Sequence, residues 1–572
     1  MSHPFAPRGF DLRTQCAPIL LALIFGLSAT SSAAKGLIAH WPLVGDGSDI
    51  SANGMHATAH AVDFTAAGPS GRDRTAAAFD GQAAWLEVPN SDFLQLGRTN
   101  FSVAAWIYTD SALDDVPGDI LSQYDPQARR GFHFALKSNP GVAFSQANAR
   151  QLQFGIDQNR AQDGWTDRGR PGNALLAFAL CTFDGQLYAG TCEPGCDEAG
   201  HVYRYAGDDR WIDCGCPDGS NAITALAVYS GQLYAGTGKY RVAGSSLPES
   251  ENATIGGRVF RYDGEARWID CGALPQVEAV GGLAVFRGQL YASSLYPPAG
   301  FFRYERDRVW IACEVPVRPV DLPGDSTHMR VEALGVYNGA LYATSYDGGR
   351  VFRFDGKHWF DCGQLGDNTQ TYSLAVRAGR LYVGTWPSGR VYRLEVANQW
   401  VDVGRLGEEL EVMGMLVHNG RLIAGTLPLA EVYQLDGPSG WKKLTRLDHT
   451  PEVRYHRAWC MAEYNGQVFC STLPSGKIYS WRAGRVAMSS TELPPGWHHV
   501  AAVRSGNSLE VFVDGKLIGH EDGFEPSDYD LSNDQPLQIG FGPNDFFKGR
   551  LCDVRLYRRA LTGMEIRELA IK

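Results

Sequence analysis

Gly231-Gln-Leu-Tyr-Ala-Gly-Thr237 is a stretch that the chain repeats with variations, and this repeat governs the prediction of the fold. Its Gly-x-Leu-Tyr-like core recurs at spacings of 46, 57, 51, 40, 41 and 46 residues, beginning at Gly185, Gly231, Gly288, Gly339, Gly379, Gly420 and Gly466. Repeats of this period are typical of four-stranded blades arranged around an axis. The repeat therefore predicts an all-β ring, a seven-bladed β-propeller.

Each repeat contains four predicted strands, which in the second repeat are 225–229, 233–237, 258–262 and 268–272. The fourth strand begins with a tryptophan in six repeats: Trp211, Trp268, Trp310, Trp359, Trp400 and Trp441. A seventh tryptophan of this kind, Trp165, precedes the first repeat. We therefore expect residues 164–169 to complete the closing blade at 458–481, which would leave no free edge strand.

The composition indicates a multidomain β protein. A chain of 572 residues is too long for one core, and 66 glycines with 11% aromatic residues favour turn-rich β structure. The net charge of −11, with no run of lysine or arginine, argues against nucleic acid or an anionic membrane as the partner.

The N-terminus has the features of a secretory signal. Arg8 and Arg13 precede a short apolar run at 18–27, and small residues follow at 31–34. We predict that residues 1–34 are a signal peptide, with an uncleaved N-terminal anchor as the alternative. The apolar run is too short to span a bilayer, so the sequence predicts a secreted or periplasmic protein without a transmembrane span.

Short alternating segments flank the repeats at 37–43, 85–88 and 101–107, and again at 494–500, 511–515 and 549–557. These segments resemble the laminin-G-like, concanavalin A-type jelly roll, and 560–566 is similar to the closing helical turn of that family. The resemblance implies one β-sandwich made of 35–157 and 485–572. The propeller, at 158–484, is then inserted into the sandwich.

The loops of the repeats differ in length between the two faces of the predicted ring. Turns between the first and second strands are short, as at 184–185, 338–339, 419–420 and 465–466. The long connections, such as 237–257, 314–330 and 446–457, all belong to the opposite face. Because long loops on a rigid scaffold usually carry function, we expect binding on the loop-rich face and the sandwich on the plain face.

Candidate catalytic residues enter the first strands of two repeats. His328 and Arg330 precede the fourth repeat glycine, and Tyr455, His456 and Arg457 precede the seventh. A histidine beside tyrosine and arginine can remove a proton next to a carboxylate whose charge arginine neutralises. Such a set is similar to those of seven-bladed polysaccharide lyases and some propeller glycosidases; the alternative is a group of polar residues that solvate the channel.

Candidate ligand-binding residues lie on the same face. Tyr346 and Trp386 occupy a repeat position that is leucine at 295, 427 and 473, so they are either sugar-stacking platforms or core residues. Asp347, in a loop of that face, and Arg454, beside Tyr455, are the polar candidates.

Asp46, Asp49 and Asn53 form an oxygen-rich loop in the first half of the sandwich. The family resemblance suggests that Asp553 joins them around a structural Ca²⁺, which takes six to eight oxygen ligands. The alternative is a loop held by Asx turns. Cys192, Cys196 and Cys216 lie on loops of the first repeat, where either a disulfide or a metal site is open.

Three functions remain open at this point. The first is a secreted protein that binds an extracellular glycan or a surface protein on the loop-rich face. The second is a carbohydrate-active enzyme, a polysaccharide lyase or glycoside hydrolase, that uses His328, Tyr455, His456 and nearby arginines. The third is a structural surface-interaction module, since propellers often serve as interaction platforms.

Overall fold

The computed structural model describes residues 1, 35–112, 115, 117–142, 145–161, 164–320, 322–324, 326–396 and 398–571, with the backbone alone described at 139–142, 145–149 and 161. The predicted signal peptide at 1–34 lies, apart from Met1, outside the described residues. No helix in the described ranges is long and apolar enough to cross a membrane.

The N-terminal part contains nine strands and one 3₁₀ turn, Asp92–Leu94. The strands are β1 (Leu37–Trp41), β2 (Thr58–His60), β3 (Asp63–Ala66), β4 (Ala76–Asp80), β5 (Trp85–Val88), β6 (Phe101–Thr109), β7 (Gly118–Asp125), β8 (Arg130–Val142) and β9 (Ser145–Ala161).

The repeats contain the strands of the propeller arrangement and one 3₁₀ turn, Val242–Ser245. The strands are β10 (Thr166–Asp167), β11 (Leu176–Phe183), β12 (Gln186–Cys192), β13 (Val202–Tyr205), β14 (Trp211–Asp213), β15 (Ala222–Tyr229), β16 (Gln232–Gly238), β17 (Arg258–Tyr262), β18 (Trp268–Ala273), β19 (Val280–Phe286), β20 (Gln289–Ser294), β21 (Phe301–Arg306), β22 (Val309–Ala312), β23 (Leu334–Tyr337), β24 (Ala340–Thr344), β25 (Arg350–Phe354), β26 (Trp359–Gln364), β27 (Gln370–Arg377), β28 (Arg380–Trp386), β29 (Arg390–Leu394), β30 (Trp400–Arg405), β31 (Glu411–His418), β32 (Arg421–Leu427), β33 (Glu431–Asp436), β34 (Gly440–Arg446), β35 (Arg457–Tyr464), β36 (Gln467–Leu473) and β37 (Ile478–Trp481).

The C-terminal part adds six strands, a 3₁₀ turn, Pro526–Asp528, and one helix. The elements are β38 (Ala483–Met488), β39 (Gly496–Ser505), β40 (Ser508–Val513), β41 (Lys516–Glu521), β42 (Leu537–Ile539), β43 (Lys548–Tyr557) and α1 (Gly563–Leu569). A capping box between Thr562 and Glu565 fixes the start of α1.

Two facing sheets form the concanavalin A-like sandwich. One has the order β3-β4-β43-β6-β39-β40-β41 with β1 beside β43, and the other contains β2-β5-β42-β7-β8-β9 with β38 beside β9. Strands from both ends of the chain therefore share each sheet. Trp41, Phe101 and Phe154 are among the fully buried side chains that fill the core between them.

The repeats form antiparallel four-stranded sheets in a propeller arrangement. Five stand as separate sheets: β19–β22, β23–β26, β27–β30, β31–β34, and β35-β36-β37-β10. The expectation of seven separate blades is therefore wrong in its count. The remaining sets, β11–β14 and β15–β18, belong to a 15-stranded sheet, because a bridge at Cys192↔Ala222 joins them and β15 pairs with β9 of the sandwich at Leu226↔Ser145.

The recurrent tryptophan connects each four-stranded set to the one before it. Its indole Nε1 donates a hydrogen bond of 2.8–3.0 Å to a backbone carbonyl of the preceding set in all six repeats, at Trp211, Trp268, Trp310, Trp359, Trp400 and Trp441. Only tryptophan combines this donor with a large apolar ring, which explains the residue at this position. At the closing sheet Thr166 pairs with Ser480, and Trp165 stacks on Trp481 at 5.8 Å.

The β8–β9 hairpin of the sandwich occupies the centre of the ring. It contacts the innermost strand of every four-stranded set: β11, β15, β19, β23, β27, β31 and β35. Close to its tip it pairs in parallel with the middle of β15, at Leu226↔Ser145 and Ala227↔Gln146. The sandwich therefore closes the ring from one side, and the ring is not an open channel.

A buried polar network joins the sandwich to the turns between first and second propeller strands. Glu463 accepts from Lys137 Nζ at 2.6 Å and from Gln153 Nε2 at 3.0 Å, and its other oxygen lies 2.8 Å from His418 Nδ1. Arg421 binds Asp157 through two hydrogen bonds of 2.7 and 2.9 Å. Burial alone would raise the pKa of Glu463, but the Lys137 charge and the His418 hydrogen bond lower it to about 2.

Candidate functional site

The face of the ring opposite the sandwich, called here the open face, carries a row of polar side chains at the ends of four innermost strands. Each lies nine residues before a repeat glycine: Arg330, Gln370, Glu411 and Arg457. Arg457 Nε lies 3.3 Å from Glu411 Oε1, and the Tyr372 hydroxyl donates to Gln370. Other repeats have Leu176, Ala222 and Ala279 at this position, so the polar row is confined to one side of the ring.

A second row lies seven residues before the repeat glycines and points toward the axis. Phe178, Tyr372, Met413 and Trp459 of this row belong to one buried cluster, although they come from different sheets. Glu332 occupies the same position in the fourth repeat. A carboxyl group therefore occupies a position that holds Gly281 in the preceding repeat and Tyr372 in the following one.

A loop from the second repeat, residues 239–257 and called here the cap loop, covers the mouth of the ring. Tyr240 packs against Phe178 at 4.9 Å and against Trp459 at 6.0 Å between ring centroids. Ser245 of this loop accepts a hydrogen bond from Arg457, which lies on the last repeat. The cap loop thus bridges the mouth from one side to the other.

Glu332 is fully buried. Among the residues that the structure describes, none makes a hydrogen bond to either of its carboxyl oxygens. Arg330 Nε lies 3.9 Å away, but Arg330 donates instead to Asp347, at 2.7 and 3.1 Å. Burial raises the pKa of Glu332 well above its ordinary value, and Arg330 only partly offsets that rise.

Arginines lie over tyrosine rings at three places around the covered mouth. The guanidinium of Arg241 lies 4.4 Å from the Tyr296 ring, that of Arg330 5.8 Å from Tyr346, and that of Arg454 4.7 Å from Tyr455. The three tyrosines are half-buried, and Arg241 and Arg454 are exposed. We call these six residues the Arg–Tyr rim.

The structure brings some of the predicted site residues together and separates others. Arg330, Tyr346 and Asp347 form one group, and Arg454, Tyr455 and Arg457 form another. Trp386 is half-buried and packs against the central cluster.

The two histidines have separate local partners. The exposed His328 has its Nδ1 at 2.9 Å from Thr327 Oγ1. In the buried His456, Nε2 lies 2.7 Å from the Thr450 carbonyl oxygen and Nδ1 lies 3.3 Å from that of Pro428. Both ring nitrogens of His456 thus contact backbone carbonyl groups of the surrounding loops.

Sequence reasoning missed Glu332 and Glu411. Both could have been found by aligning the repeats on their glycines, because each is the one acid at its position in the seven repeats. Glu411 lies 3.3 Å from Arg457 Nε, and burial, opposed by the Arg457 charge, raises the pKa of Glu411.

The predicted calcium loop is held by hydrogen bonds within the protein. Asp49 accepts from the backbone N–H groups of His40, Ser51 and Met55 and from the Ser51 hydroxyl, at 2.7–2.9 Å. Asn53 donates to Ile38, Asp46 accepts from Ser48 N, and Asp553 lies 2.9 Å from Arg555 Nε. Both oxygens of Asp49 therefore already accept hydrogen bonds within the protein, as the alternative of Asx turns predicts.

Calcium at this loop stays a prediction that thermal unfolding can test. An ion that binds only the folded state at 100 times its Kd stabilises it by about 2.7 kcal/mol, so calcium would raise the unfolding midpoint relative to EGTA. Asp49→Ala would abolish that rise. The same midpoint in calcium and in EGTA, for the wild-type protein, would contradict the prediction.

The first-repeat cysteines, for which the sequence left a disulfide open, are not joined to one another in the described structure. All eleven cysteines in the described ranges are free thiols, including the buried Cys192, the exposed Cys196 and the half-buried Cys216. Cys192 lies on β12 with its side chain in the core, and Cys216 accepts a hydrogen bond from Gly219 N within its own turn.

Comparison with known proteins supports the sandwich. A laminin G family model, described as the concanavalin A-like lectin/glucanases superfamily, matches residues 441–567. The match covers well under half of the chain. No curated protein matches the sequence.

Solved structures show distant likeness in fold. Streptogramin B lyase is 10% identical, with a TM-score of 0.43 over 56% of this chain and 98% of its own. A catalytically inactive virginiamycin B lyase from Staphylococcus aureus, with quinupristin, is 10% identical, with a TM-score of 0.40 over 58% and 99%. The extracellular domain of a hybrid two-component system from B. thetaiotaomicron is 13% identical, with a TM-score of 0.41 over 63% and 47%. By its strand topology and the family match at 441–567, the chain is an all-β protein that combines a concanavalin A-like sandwich with a β-propeller arrangement.

Proposed function

We propose that the protein is an exported glycan-binding protein whose ligand docks on the open face, over the Arg–Tyr rim. A lectin-like sandwich and a propeller arrangement fit a binding role. The observation that carries the proposal is the set of three arginines whose guanidinium groups lie 4.4–5.8 Å from the rings of half-buried tyrosines around one mouth. Because the rim offers aromatic rings together with arginine hydrogen-bond donors, we expect its ligand to be a sugar.

Sugars present apolar C–H faces that stack on aromatic rings and hydroxyls or carboxylates that accept hydrogen bonds. An arginine that packs against a ring has fewer side-chain conformations to lose, which lowers the entropy lost on binding. Arg454 is exposed beside half-buried Tyr455, so both kinds of contact are available on one surface.

The proposal includes the domain organisation predicted from the sequence. We propose a sandwich of 35–157 and 485–572 that holds an inserted propeller at 158–484, after a signal peptide at 1–34. The pairing of Ala483 with Ala161 supports the insertion, because it places the two ends of the intervening segment side by side.

The surroundings of His456 favour binding over catalysis by that residue. A general base needs a ring nitrogen directed at the substrate, whereas both nitrogens of His456 face backbone carbonyls. The alternative of a polysaccharide lyase or hydrolase is tested beside the binding assay by release of unsaturated or reducing ends.

A glycan array with three proteins tests the binding proposal. We expect the wild-type protein to bind a defined set of glycans, and the Arg454→Ala/Tyr455→Ala variant to bind them about 10- to 100-fold more weakly. The matched control is Arg353→Ala/Phe360→Ala, which removes an arginine-on-aromatic pair of the same geometry, 4.6 Å, from the outer strands of the fourth repeat.

The proposal would fail if the array showed no binding, or if the rim variant bound as well as the control variant. Capture of a surface protein in place of a glycan would favour the interaction-module reading. Turnover of an array glycan that His456→Ala abolishes would favour the enzyme.

A further inference from the structure

One carboxyl group near the mouth of the ring has no hydrogen-bond partner. Asp347 pairs with Arg330 and lies 3.9 Å from Arg318, and Arg457 pairs with Glu411. Glu332 lies 3.9 Å from Arg330 Nε, but no described residue makes a hydrogen bond to it. Its carboxyl group is therefore buried with a distant cation and without a donor.

A buried carboxyl group without a partner is costly in either protonation state. As a carboxylate it loses hydration that nothing replaces, and as a neutral acid it still has an O–H donor without an acceptor. Native proteins rarely retain such a group unless water, an ion or a ligand completes its hydrogen bonds. The position of Glu332 in the axial row therefore points to a missing partner.

The surroundings of Glu332 select the chemistry of that partner. The Tyr346 and Tyr372 rings lie 4.8 Å apart, and the pKa of Tyr346 is raised well above its ordinary value by burial and then by the nearby Glu332 carboxyl. A carboxylate beside aromatic rings binds a protonated amine, through an ion pair and through attraction between the cation and the ring faces. An anionic partner would instead be repelled by Glu332 and Glu411.

We propose that Glu332, Tyr346 and Tyr372 form a pocket for the protonated amino group of an amino sugar. The proposal rests on the glycan-binding function proposed above and names the sugar class: a glycan with a free, non-acetylated amine. Glu332 binds the ammonium group, and the two tyrosine rings flank it. N-acetylation removes the charge, so acetylated sugars are excluded.

The cap loop controls access to this pocket. Within the loop, the Lys239 ammonium donates to the Ser250 carbonyl at 2.7 Å, and Glu249 accepts from Val242 N at 3.2 Å and Ala243 N at 3.1 Å. The hydrogen bond from Arg457 to Ser245 attaches the loop to the far side of the mouth. Ser245→Ala removes that attachment and should speed the entry of ligand.

Calorimetric titration with glucosamine and with N-acetylglucosamine tests the pocket in the full chain. We expect glucosamine to bind the wild-type protein, N-acetylglucosamine not to bind, and Glu332→Gln to weaken glucosamine at least about tenfold, since it removes the charge and keeps the shape. The matched control is Glu193→Gln, because Glu193 is also buried with one oxygen lacking a partner but lies on the first repeat. It should leave the affinity unchanged.

The proposal is overturned if glucosamine does not bind, if N-acetylglucosamine binds equally, or if Glu332→Gln and Glu193→Gln behave alike. Should Glu332→Gln fail to fold, Tyr346→Leu provides the second variant, with the same expected loss. The rim variant Arg454→Ala/Tyr455→Ala separates the two proposals, because it should no longer bind the array glycans but should still bind glucosamine. If the wild-type protein bound glucosamine but no glycan on the array, the proposal for the rim would be refuted and the proposal for the pocket would remain.

Discussion

Replacing Glu463 by alanine is expected to lower the free energy of unfolding by about 3–5 kcal/mol. Lys137 is buried at 3% exposure, and its ammonium group would lose the carboxylate that lies 2.6 Å away. His418 and Gln153 would lose the same acceptor. Chemical denaturation, followed by circular dichroism at neutral pH, measures the difference.

Two further variants make this result interpretable. Lys137→Met combined with Glu463→Leu removes both charges and should recover most of the lost stability, since no uncompensated charge stays buried. Asp167→Ala breaks the surface pair of Asp167 and Lys477, whose side chains are 43% and 44% exposed, and should cost less than about 1 kcal/mol. A Glu463→Ala loss as small as that of Asp167→Ala would contradict the role of the network.

Replacing Trp481 by alanine is expected to open the closing sheet and to cost about 3–5 kcal/mol. Trp481 is 4% exposed and stacks on Trp165, and the strand that closes the ring, β10, holds only two residue pairs with β37. Hydrogen exchange at the backbone amides of 166–169 should accelerate far more than exchange in β35 and β36.

Trp497→Ala is the control for this variant. Trp497 is a half-buried tryptophan of the sandwich that contacts Tyr108 at 5.6 Å, so its loss should leave exchange at 166–169 unchanged. Unchanged exchange in Trp481→Ala would show that β10 does not depend on the stacked tryptophans.

Much of the architecture could be predicted because its signals are local. Tight turns at the repeat glycines and alternating strands between them follow from short-range backbone preferences. The tryptophan that begins each fourth strand is part of the same period, and its indole bond to the preceding sheet gives a physical reason for it. The flanking sandwich could be predicted from the paired segments at both ends of the chain.

The contents of the ring could not be predicted in this way. The parallel contact of β9 with β15 joins residues about eighty positions apart in the sequence. Neither the turn residues nor the spacing of the repeats indicates this contact. This contact, with the bridge at Cys192↔Ala222, merges two repeats with the sandwich sheet, which is why the prediction of seven separate sheets is wrong.

The candidate site was only partly predictable for a similar reason. His328 and His456 are chemically versatile residues, and sequence alone cannot show that the ring nitrogens of His456 bind backbone carbonyls. Glu332 was overlooked because a single glutamate carries no motif, and its complete burial is a property of the folded chain. Arg330, Tyr346 and Asp347 were predicted separately and come together as one group.

The central hairpin has a consequence for assembly during synthesis. Residues 130–161 leave the ribosome before any repeat does, whereas the strand that flanks the hairpin on its other side, β38, emerges only after the last repeat. Each newly made innermost strand can thus pack against a hairpin that has already been synthesised, and the stacking of two tryptophans then closes the ring around it. A fragment that begins at residue 164 would have to form the ring without this central hairpin.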